Sequence, residues 1–249
     1  CYMIKLELPD KPAELTPEKE RELVEKFKAD GSAVWKKSYI TKPLLAMTNN
    51  KCAYSEQALN QESAYMEVDH FKHKNLYQDE VVRWGNLLPS CKKCNDTKSD
   101  WDVMADPIVN PLADQPRDFL YVKAFRFYMK NEKGQNTIRA LALNDRDHFV
   151  NPRSEIGFRI VETLEEYLEA LQEEELTPRR MKSLVNRIKS TLSECGPKHI
   201  YSAVLSTHIL YESPVMRKLE ERLQALDQWD EELEAIRREL ESIALPSPD

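Results

Sequence analysis

The stretch that most restricts the possible fold is 52–100, where chemically active side chains occur in a fixed order. Apolar and polar residues alternate from Ala64 through Met66 to Val68, which predicts a short strand ending at the pair Asp69-His70. The stretch continues with Asn86 in a loop, a second strand, a Cys91-x-x-Cys94 turn, and a short polar helix that begins at Asn95.

The Asp69-His70 pair suits the hydrolysis of a phosphodiester. That reaction requires a deprotonated water, a cation on the phosphate and stabilisation of the departing oxygen. The imidazole of His70 titrates near neutral pH and can accept a proton from water. Adjacent side chains of a strand point to opposite faces, so Asp69 can hold a metal ion while His70 faces the water.

Together, the Asp-His pair, the asparagine sixteen positions after His70 and the Asn-x-x-Lys nine positions beyond it resemble the ββα-metal core of HNH endonucleases. The resemblance implies an α+β fold in which this core carries a β-hairpin extension and is embedded in a largely α-helical protein. It also implies that His70 is the catalytic base, that Asp69 and Asn95 bind Mg²⁺ or Mn²⁺, and that the Asn86 amide bonds the loop backbone and holds His70 in register. Lys98 is then expected to contact a phosphate oxygen. An oxygen-rich site with few protein ligands suits a hard cation that keeps several waters.

Basic residues cluster around the proposed site. The sequence predicts that they contact the phosphates of DNA, which positions a nucleic acid without reading its sequence. His73 stands where HNH proteins often have proline and is interpreted as a surface or DNA-facing histidine. The four lysines predicted to bind nucleic acid are Lys72, Lys74, Lys92 and Lys93.

The cysteines of this stretch suggest a structural zinc site. Many HNH proteins flank their core with two Cys-x-x-Cys turns, and Cys91 and Cys94 form the second of these. The first reads Cys52-Ala-Tyr-Ser55, so the site has three thiolates and a serine, a poor zinc ligand. Two interpretations stay open: a zinc ion completed by Glu56, His73 or water, or cysteines that pack as small apolar groups without metal.

Composition indicates a reducing compartment. The chain has five cysteines, an odd number without the spacing of a disulfide framework. It contains no apolar run of membrane-spanning length and no signal-sequence pattern, so we expect a cytoplasmic protein without a membrane partner. The net charge of −7 argues against tight independent binding to a polyanion. The excess lies between Glu155 and Asp249, where 20 acidic residues face 12 basic ones.

Four segments follow from these patterns: an N-terminal helical segment (1–50), the HNH core (51–105), a β-hairpin extension (106–152) and a C-terminal helical domain (153–249). In the first, a helix runs from Thr16-Pro17 to Asp30-Gly31, and another starts near Ser32 and bends or breaks at Pro43. In the third, aromatic residues from Phe119 to Phe127 alternate up to a turn at 131–134, and 137–141 returns as a strand.

The last segment carries a leucine-rich stripe from Met216 to Ile243, broken near Trp229. We expect its helices to pack on their own neighbours, whereas an exposed stripe would form a coiled-coil seam for helix-mediated assembly.

A second resemblance extends from about Lys51 to about Arg153. Asn110-Pro111-Leu112, the aromatic hairpin and the run from Thr137 to Asn144 are similar to the segment after the core in nucleases of Septu-type and retron-associated antiphage systems. In those systems the HNH subunit works with an ABC-type ATPase, which the resemblance implies as the partner here. The alternatives are a stand-alone restriction-type HNH nuclease that recognises modified DNA and a non-catalytic zinc-knuckle scaffold subunit.

Overall fold

The computed structural model describes residues 4–59, 65–173 and 176–248. The chain divides into two compact units, one comprising Cys1–Leu120 and Tyr128–Leu143, the other Tyr121–Phe127 and Asn144–Asp249. No helix in the described ranges is both long and apolar enough to cross a bilayer. The predicted alternation at Ala64 lies outside the described residues.

Helix α1 (Pro17–Asp30) begins and ends where the sequence predicts. The hydroxyl of Thr16 accepts a hydrogen bond from the backbone N–H of Lys19 at 3.2 Å, and proline occupies the first helical position. At the other end, Gly31 adopts a φ of 68° and donates its N–H to the Phe27 carbonyl. Glycine adopts this left-handed conformation without a Cβ clash, so the helix stops there.

Helix α2 (Ser38–Met47) starts later than predicted. The expected start near Ser32 is wrong, because the Val34 N–H bonds the Ser32 carbonyl at 2.8 Å and closes a tight turn instead of a first helical turn. The helix continues through Pro43 to its end. Its buried side chains, Ile40 and Leu44, belong to the apolar core of the first unit.

Strand β1 (Glu67–His70) pairs antiparallel with β2 (Leu87–Ser90) and places Asp69 opposite Leu88 and His70 opposite Leu87. Helix α3 (Lys92–Lys98) follows directly, three residues before the predicted start at Asn95. The stretch thus has the expected order of strand, loop, strand, turn and helix. The core beneath it consists of Leu15, Leu23, Val24, Phe27, Val34, Ile40, Leu44, Val68, Val81, Val82, Trp84 and Leu87.

Strands β3 (Leu120–Lys123) and β4 (Arg126–Met129) form a second two-stranded sheet. Ala124 and Phe125 connect them with φ values of 48° and 61°. Two successive residues with positive φ match the right-handed twist of a hairpin. The hairpin is therefore shorter than predicted and turns inside the aromatic run.

Helix α4 (Glu132–Ala140) replaces the predicted return strand. The turn expected at 131–134 is its N-terminus, where the Asn131 side chain accepts a hydrogen bond from the Gly134 N–H at 3.1 Å. An N-cap acceptor favours a helix, and the short run Thr137–Leu141 fits a helical period as well as an alternating one. The strand prediction for that run was therefore wrong.

The second unit consists mainly of helices around one apolar core. Its core includes Ile160, Leu164, Ile188, Leu192, Leu205 and Ile209. Gly157 of α5 lies against the ring of Phe125, which a Cβ at that position would approach to 2.3 Å. The helices are α5 (Asn151–Ala170), α6 (Pro178–Ser193), α7 (Ser202–Thr207), α8 (Val215–Ala225) and α9 (Glu231–Ile243).

The leucine-rich stripe lies on α8 and α9 and breaks at Trp229, between the two helices. Its apolar side chains are buried within their own unit, which confirms the prediction of amphipathic helices packed on their neighbours. The stripe therefore does not form an exposed coiled-coil seam. The buried stripe residues are Met216, Leu219, Leu223, Leu233, Leu240 and Ile243.

Candidate active site

A cavity of about 740 Å³ opens beside β1 in the first unit. The end of that strand delivers Asp69 and His70 to its wall, and α3 delivers Asn95. Three of the residues singled out from the sequence as base and metal ligands therefore meet at one cavity. Other residues that line it include Trp35, Lys36, Glu67, His73, Lys74 and Asp96.

His70 is held in a defined tautomer. Its Nε2 lies 2.9 Å from the Val81 carbonyl oxygen, which can only accept, so Nε2 carries the proton and donates it. Nδ1 of the neutral ring is then an acceptor, and it has no hydrogen bond to any residue in the described part of the chain. Burial lowers the pKa of His70 to about 4. The edge of Trp35 packs on the imidazole, with ring centroids 4.6 Å apart. The side chain is thus a fixed, neutral proton acceptor.

Asp69 is anchored through both of its carboxylate oxygens. The Tyr54 hydroxyl donates to Oδ2 at 2.5 Å, and the Lys98 ammonium group donates to Oδ1 at 3.0 Å. Each carboxylate oxygen has two lone pairs, so each retains one for a further ligand. Burial raises the pKa of Tyr54 well above its usual range, which keeps the phenol a donor. Asp69 is therefore fixed in orientation and still able to bind a cation.

Lys98 lies in a different place from the one the sequence predicts. Its side chain is fully buried, and its ammonium group also donates to the His70 carbonyl at 2.7 Å. A lysine committed to two buried acceptors does not reach a phosphate in solvent. Instead of contacting a phosphate as predicted, Lys98 links α3 to β1 inside the protein. Spacing in a sequence does not reveal whether a lysine one turn along a helix points inward.

Asn95 contacts Glu67, a residue that the sequence interpretation did not single out. The Asn95 amide nitrogen donates to the Glu67 carboxylate, which leaves the amide oxygen of Asn95 available. Glu67 precedes Asp69 by two positions in β1, so the two side chains lie on the same face. Two carboxylates and an amide oxygen make a hard donor set, which fits Mg²⁺ or Mn²⁺.

Asn86 locks the loop that follows β1. Its Oδ1 accepts the Lys72 N–H at 2.7 Å, and its Nδ2 donates to the carbonyls of Lys72 and Glu80 at 3.2 and 3.1 Å. These are the loop contacts that the sequence predicts for it. The same loop carries Val81, whose carbonyl fixes the His70 ring.

The predicted phosphate-binding lysines differ in availability. The ammonium group of Lys72 pairs with Glu80 at 2.6 Å. Lys74 lines the cavity, 5.7 Å from the centre of the Trp35 ring. Lys92 is exposed and Lys93 is half-buried on α3. Lys74 is thus the predicted lysine placed directly at the cavity.

His73 also lines the cavity. Its Nδ1 is buried and has no hydrogen-bond partner in the described ranges. The interpretation of His73 as a residue facing a bound nucleic acid therefore stays open at this wall.

Cys52, Cys91 and Cys94 come together as predicted, with their sulfur atoms within 4.8 Å of one another. The backbone N–H groups of Tyr54 and Ser55 both donate to the Cys52 sulfur at 3.4 Å. Burial opposes ionisation of Cys52, but hydrogen bonds with the other two thiols and with Ser55 outweigh it and lower its pKa. Three convergent sulfurs with one stabilised thiolate suit a thiophilic cation such as zinc.

The fourth corner of this cluster is occupied by Ser55. Its hydroxyl lies 3.4 Å from the Cys91 sulfur. Of the candidates considered from the sequence, Glu56 pairs with Lys51 at 2.6 Å, and His73 lies at the cavity. Neither belongs to the sulfur cluster among the described residues, so neither supplies the fourth ligand in this arrangement.

Comparison with known proteins gives two relatives and no matching protein-family model. The chain is 37% identical over 252 residues to Septu protein PtuB of Bacillus thuringiensis, and the alignment covers 99% of this chain and 96% of the relative. It is also 27% identical over 137 residues to Septu protein PtuB of Bacillus mycoides (strain KBAB4), covering 42% of this chain and 46% of that one.

Proposed function

The chain belongs to the family of Septu protein PtuB, and on this premise we propose that it is a metal-dependent HNH endonuclease, the effector subunit of an antiphage defence complex. The observation that carries the nuclease assignment is the convergence of Asp69, His70 and Asn95 on one cavity, with His70 held by a loop that Asn86 locks.

His70 is the general base in this proposal. Its Nε2–H is engaged with the Val81 carbonyl, so Nδ1 accepts a proton from the attacking water. Attack on phosphorus with departure of the 3′ oxygen leaves a 5′ phosphate and a 3′ hydroxyl. The fixed ring avoids the cost of orienting a mobile base in the transition state.

Asp69, Asn95 and Glu67 are the side chains that would hold Mg²⁺ or Mn²⁺. Such an ion, when bound, supplies charge stabilisation to the phosphate and the departing oxygen. Lys98 fixes the Asp69 carboxylate from inside the protein, and Asn86 fixes the loop behind His70. Because Lys98 also donates to the His70 carbonyl, it holds both the Asp69 carboxylate and the backbone of the base.

DNA is the substrate that we assign to this site. Lys74 and Lys36 line the cavity, and Lys92 is exposed on the adjacent helix. Cations at such positions contact phosphates and release counterions on binding. The overall negative charge of the chain limits independent binding, which favours an arrangement in which a partner holds the DNA.

The three-cysteine cluster would hold a structural zinc ion. The donor set of Cys52, Cys91 and Cys94 fits this metal, and the Ser55 hydroxyl or a water would complete it. The cluster joins the loop at Cys52 to the turn that starts α3.

An ABC-type ATPase is the partner that we propose, acting with this chain in the cytoplasm. Family membership supports it, together with the segment after the core that resembles antiphage nucleases. Because the stripe on α8 and α9 is buried, helix-mediated assembly with the partner would have to use a different surface.

The experiment is co-purification of the chain with the product of the adjacent open reading frame, followed by cleavage of supercoiled plasmid in Mg²⁺ or Mn²⁺, with and without ATP. We expect cleavage by the complex and not by the chain alone. Selective cleavage by the chain alone would replace the partnered assignment with a restriction-type nuclease. A complex without any metal-dependent cleavage would refute the nuclease assignment and favour a scaffold subunit.

A further inference from the structure

The three-cysteine cluster and the nuclease site share one loop. Cys52 and Tyr54 are two residues apart, and the Tyr54 N–H donates to the Cys52 sulfur at 3.4 Å. The hydroxyl of the same tyrosine donates to Asp69 Oδ2 at 2.5 Å. Tyr54 is fully buried, so its ring cannot turn away into solvent. One buried residue therefore contacts a cluster sulfur through its backbone N–H and the carboxylate assigned to the metal ion through its hydroxyl.

The other half of the cluster is linked to the same carboxylate. Cys94 lies in α3, one helical turn before Lys98, and Lys98 donates to Asp69 Oδ1 at 3.0 Å. Asn95 directly follows Cys94. The two chain segments that the cysteines bring together thus supply both donors to Asp69 and the second proposed metal ligand.

We propose that Tyr54 is a positioning residue through which the three-cysteine cluster sets the orientation of Asp69, so that the state of the cluster controls metal binding in the nuclease site. The proposal rests on the assigned nuclease function. When the cluster is bridged by a cation, the loop at Cys52 stays close to α3, and Tyr54 and Lys98 hold Asp69 from two sides. When the cluster opens, Tyr54 moves with its loop and Asp69 loses one of its two anchors.

The first test removes only the hydroxyl. Tyr54→Phe keeps the buried ring and deletes the hydrogen bond to Asp69. A bond to a charged group is lost, so we expect the Kd for Mn²⁺ and the Mn²⁺ concentration for half-maximal cleavage to rise about tenfold, with zinc content unchanged. Calorimetric titration of the full chain with Mn²⁺ gives the first value without any cleavage.

The matched control is Tyr77→Phe. Tyr77 also donates its hydroxyl to a carboxylate, Asp102 Oδ1, at 2.7 Å. That carboxylate does not line the cavity, so both Mn²⁺ values should stay within twofold of the parent. An equal rise in both variants would mean that tyrosine–carboxylate bonds act only through general stability, and would overturn the proposal.

The link to the cysteines is tested by a double-mutant cycle with Cys52→Ser. We expect this variant to lose zinc and to bind Mn²⁺ about tenfold more weakly than the parent. The Kd for Mn²⁺ of the double variant with Tyr54→Phe should be no more than about twofold above that of either single variant, because both substitutions act on one hydrogen bond. Multiplying effects would show independent action and overturn the link.

A second variant covers failure of Cys52→Ser to fold. Ser55→Cys supplies a fourth thiolate, so zinc and Mn²⁺ affinity should both survive a zinc chelator that strips the parent. Survival of zinc with loss of Mn²⁺ affinity would overturn the link.

The same cleavage assay includes His70→Ala. If the parent shows no cleavage that depends on His70, the nuclease assignment fails. If cleavage depends on His70 but Tyr54→Phe has the parental Mn²⁺ dependence, only the present inference is refuted.

Discussion

Replacing Asn86 with alanine should weaken both the stability of the first unit and catalysis. The amide makes three hydrogen bonds to the loop backbone, at 2.7, 3.1 and 3.2 Å, and the side chain is buried. At about 1 kcal/mol each, their loss costs about 3 kcal/mol. The midpoint of thermal unfolding should fall by roughly 6–12 °C, at about 2–4 °C per kcal/mol for a chain of this size.

The catalytic effect follows from the same loop. Asn86 donates to the Glu80 carbonyl, next to Val81, whose carbonyl fixes the His70 ring. A loosened loop no longer holds Nδ1 toward the cavity, so single-turnover cleavage at 25 °C should fall at least tenfold while the protein is still folded.

Asn144→Ala is the matched control. The Asn144 amide bonds the N–H and carbonyl of Phe127 at 2.8 Å each, in the second unit. This variant should lose about 2 kcal/mol of stability and keep the parental cleavage rate at 25 °C. The role assigned to the loop is wrong if the unfolding free energy of Asn86→Ala lies within about 1 kcal/mol of the parental value and the variant cleaves at the parental rate.

Three further predictions concern other residues. Lys98→Met leaves a buried carboxylate with one partner fewer, so it should lower the unfolding free energy in urea by about 3 kcal/mol without changing the salt dependence of DNA binding. Lys74→Met should weaken DNA binding and reduce its salt dependence with the unfolding free energy unchanged. The opposite pattern would show that Lys98 contacts a phosphate after all. Gly157→Ala should lower the unfolding free energy by about 1–3 kcal/mol in spite of alanine's helix propensity, because its Cβ meets the Phe125 ring at 2.3 Å; a stabilised variant would contradict this packing. Burial raises the pKa of Cys195 to about 12, so its folded thiol stays protonated above pH 9, where the unfolded thiol ionises, and stability should fall by about 1.4 kcal/mol per pH unit there relative to Cys195→Ala; equal slopes would contradict it.

The sequence was most informative where several residue types had to agree. Strand β1, the loop with Asn86 and the turn before α3 were predictable because each carries its own local signal. The meeting of Cys52 with Cys91 and Cys94 followed from the paired turns. These features depend on order and spacing, which a sequence states directly.

The partners of the site residues were less predictable. Tyr54 and Glu67 have no spacing signal of their own, and their roles arise from which side chains face β1 after folding. Glu67 could have been found from its position two residues before Asp69, since strand residues two apart share a face. Lys98 was expected to contact a phosphate because the resemblance implied it, and only the packing of α3 against β1 shows that it is buried.

The errors in local structure have similar causes. The run 137–141 is too short for its period to separate helix from strand, and the deciding feature was the Asn131 cap. The predicted helix start near Ser32 was wrong because the backbone carbonyl of that residue closes a turn with the Val34 N–H. In both places one side chain or one backbone hydrogen bond outweighed the apolar pattern.

The central claim is that His70 is the base of a metal-dependent nuclease. It is tested most directly by single-turnover cleavage of plasmid by the partnered complex at saturating Mn²⁺, comparing the parent with His70→Ala. His148→Ala, which changes an exposed histidine of the second unit, is the control. Loss of a general base predicts a fall of about 10²–10⁴-fold for His70→Ala, with DNA binding and the control unchanged. A rate within a few-fold of the parent would contradict the account.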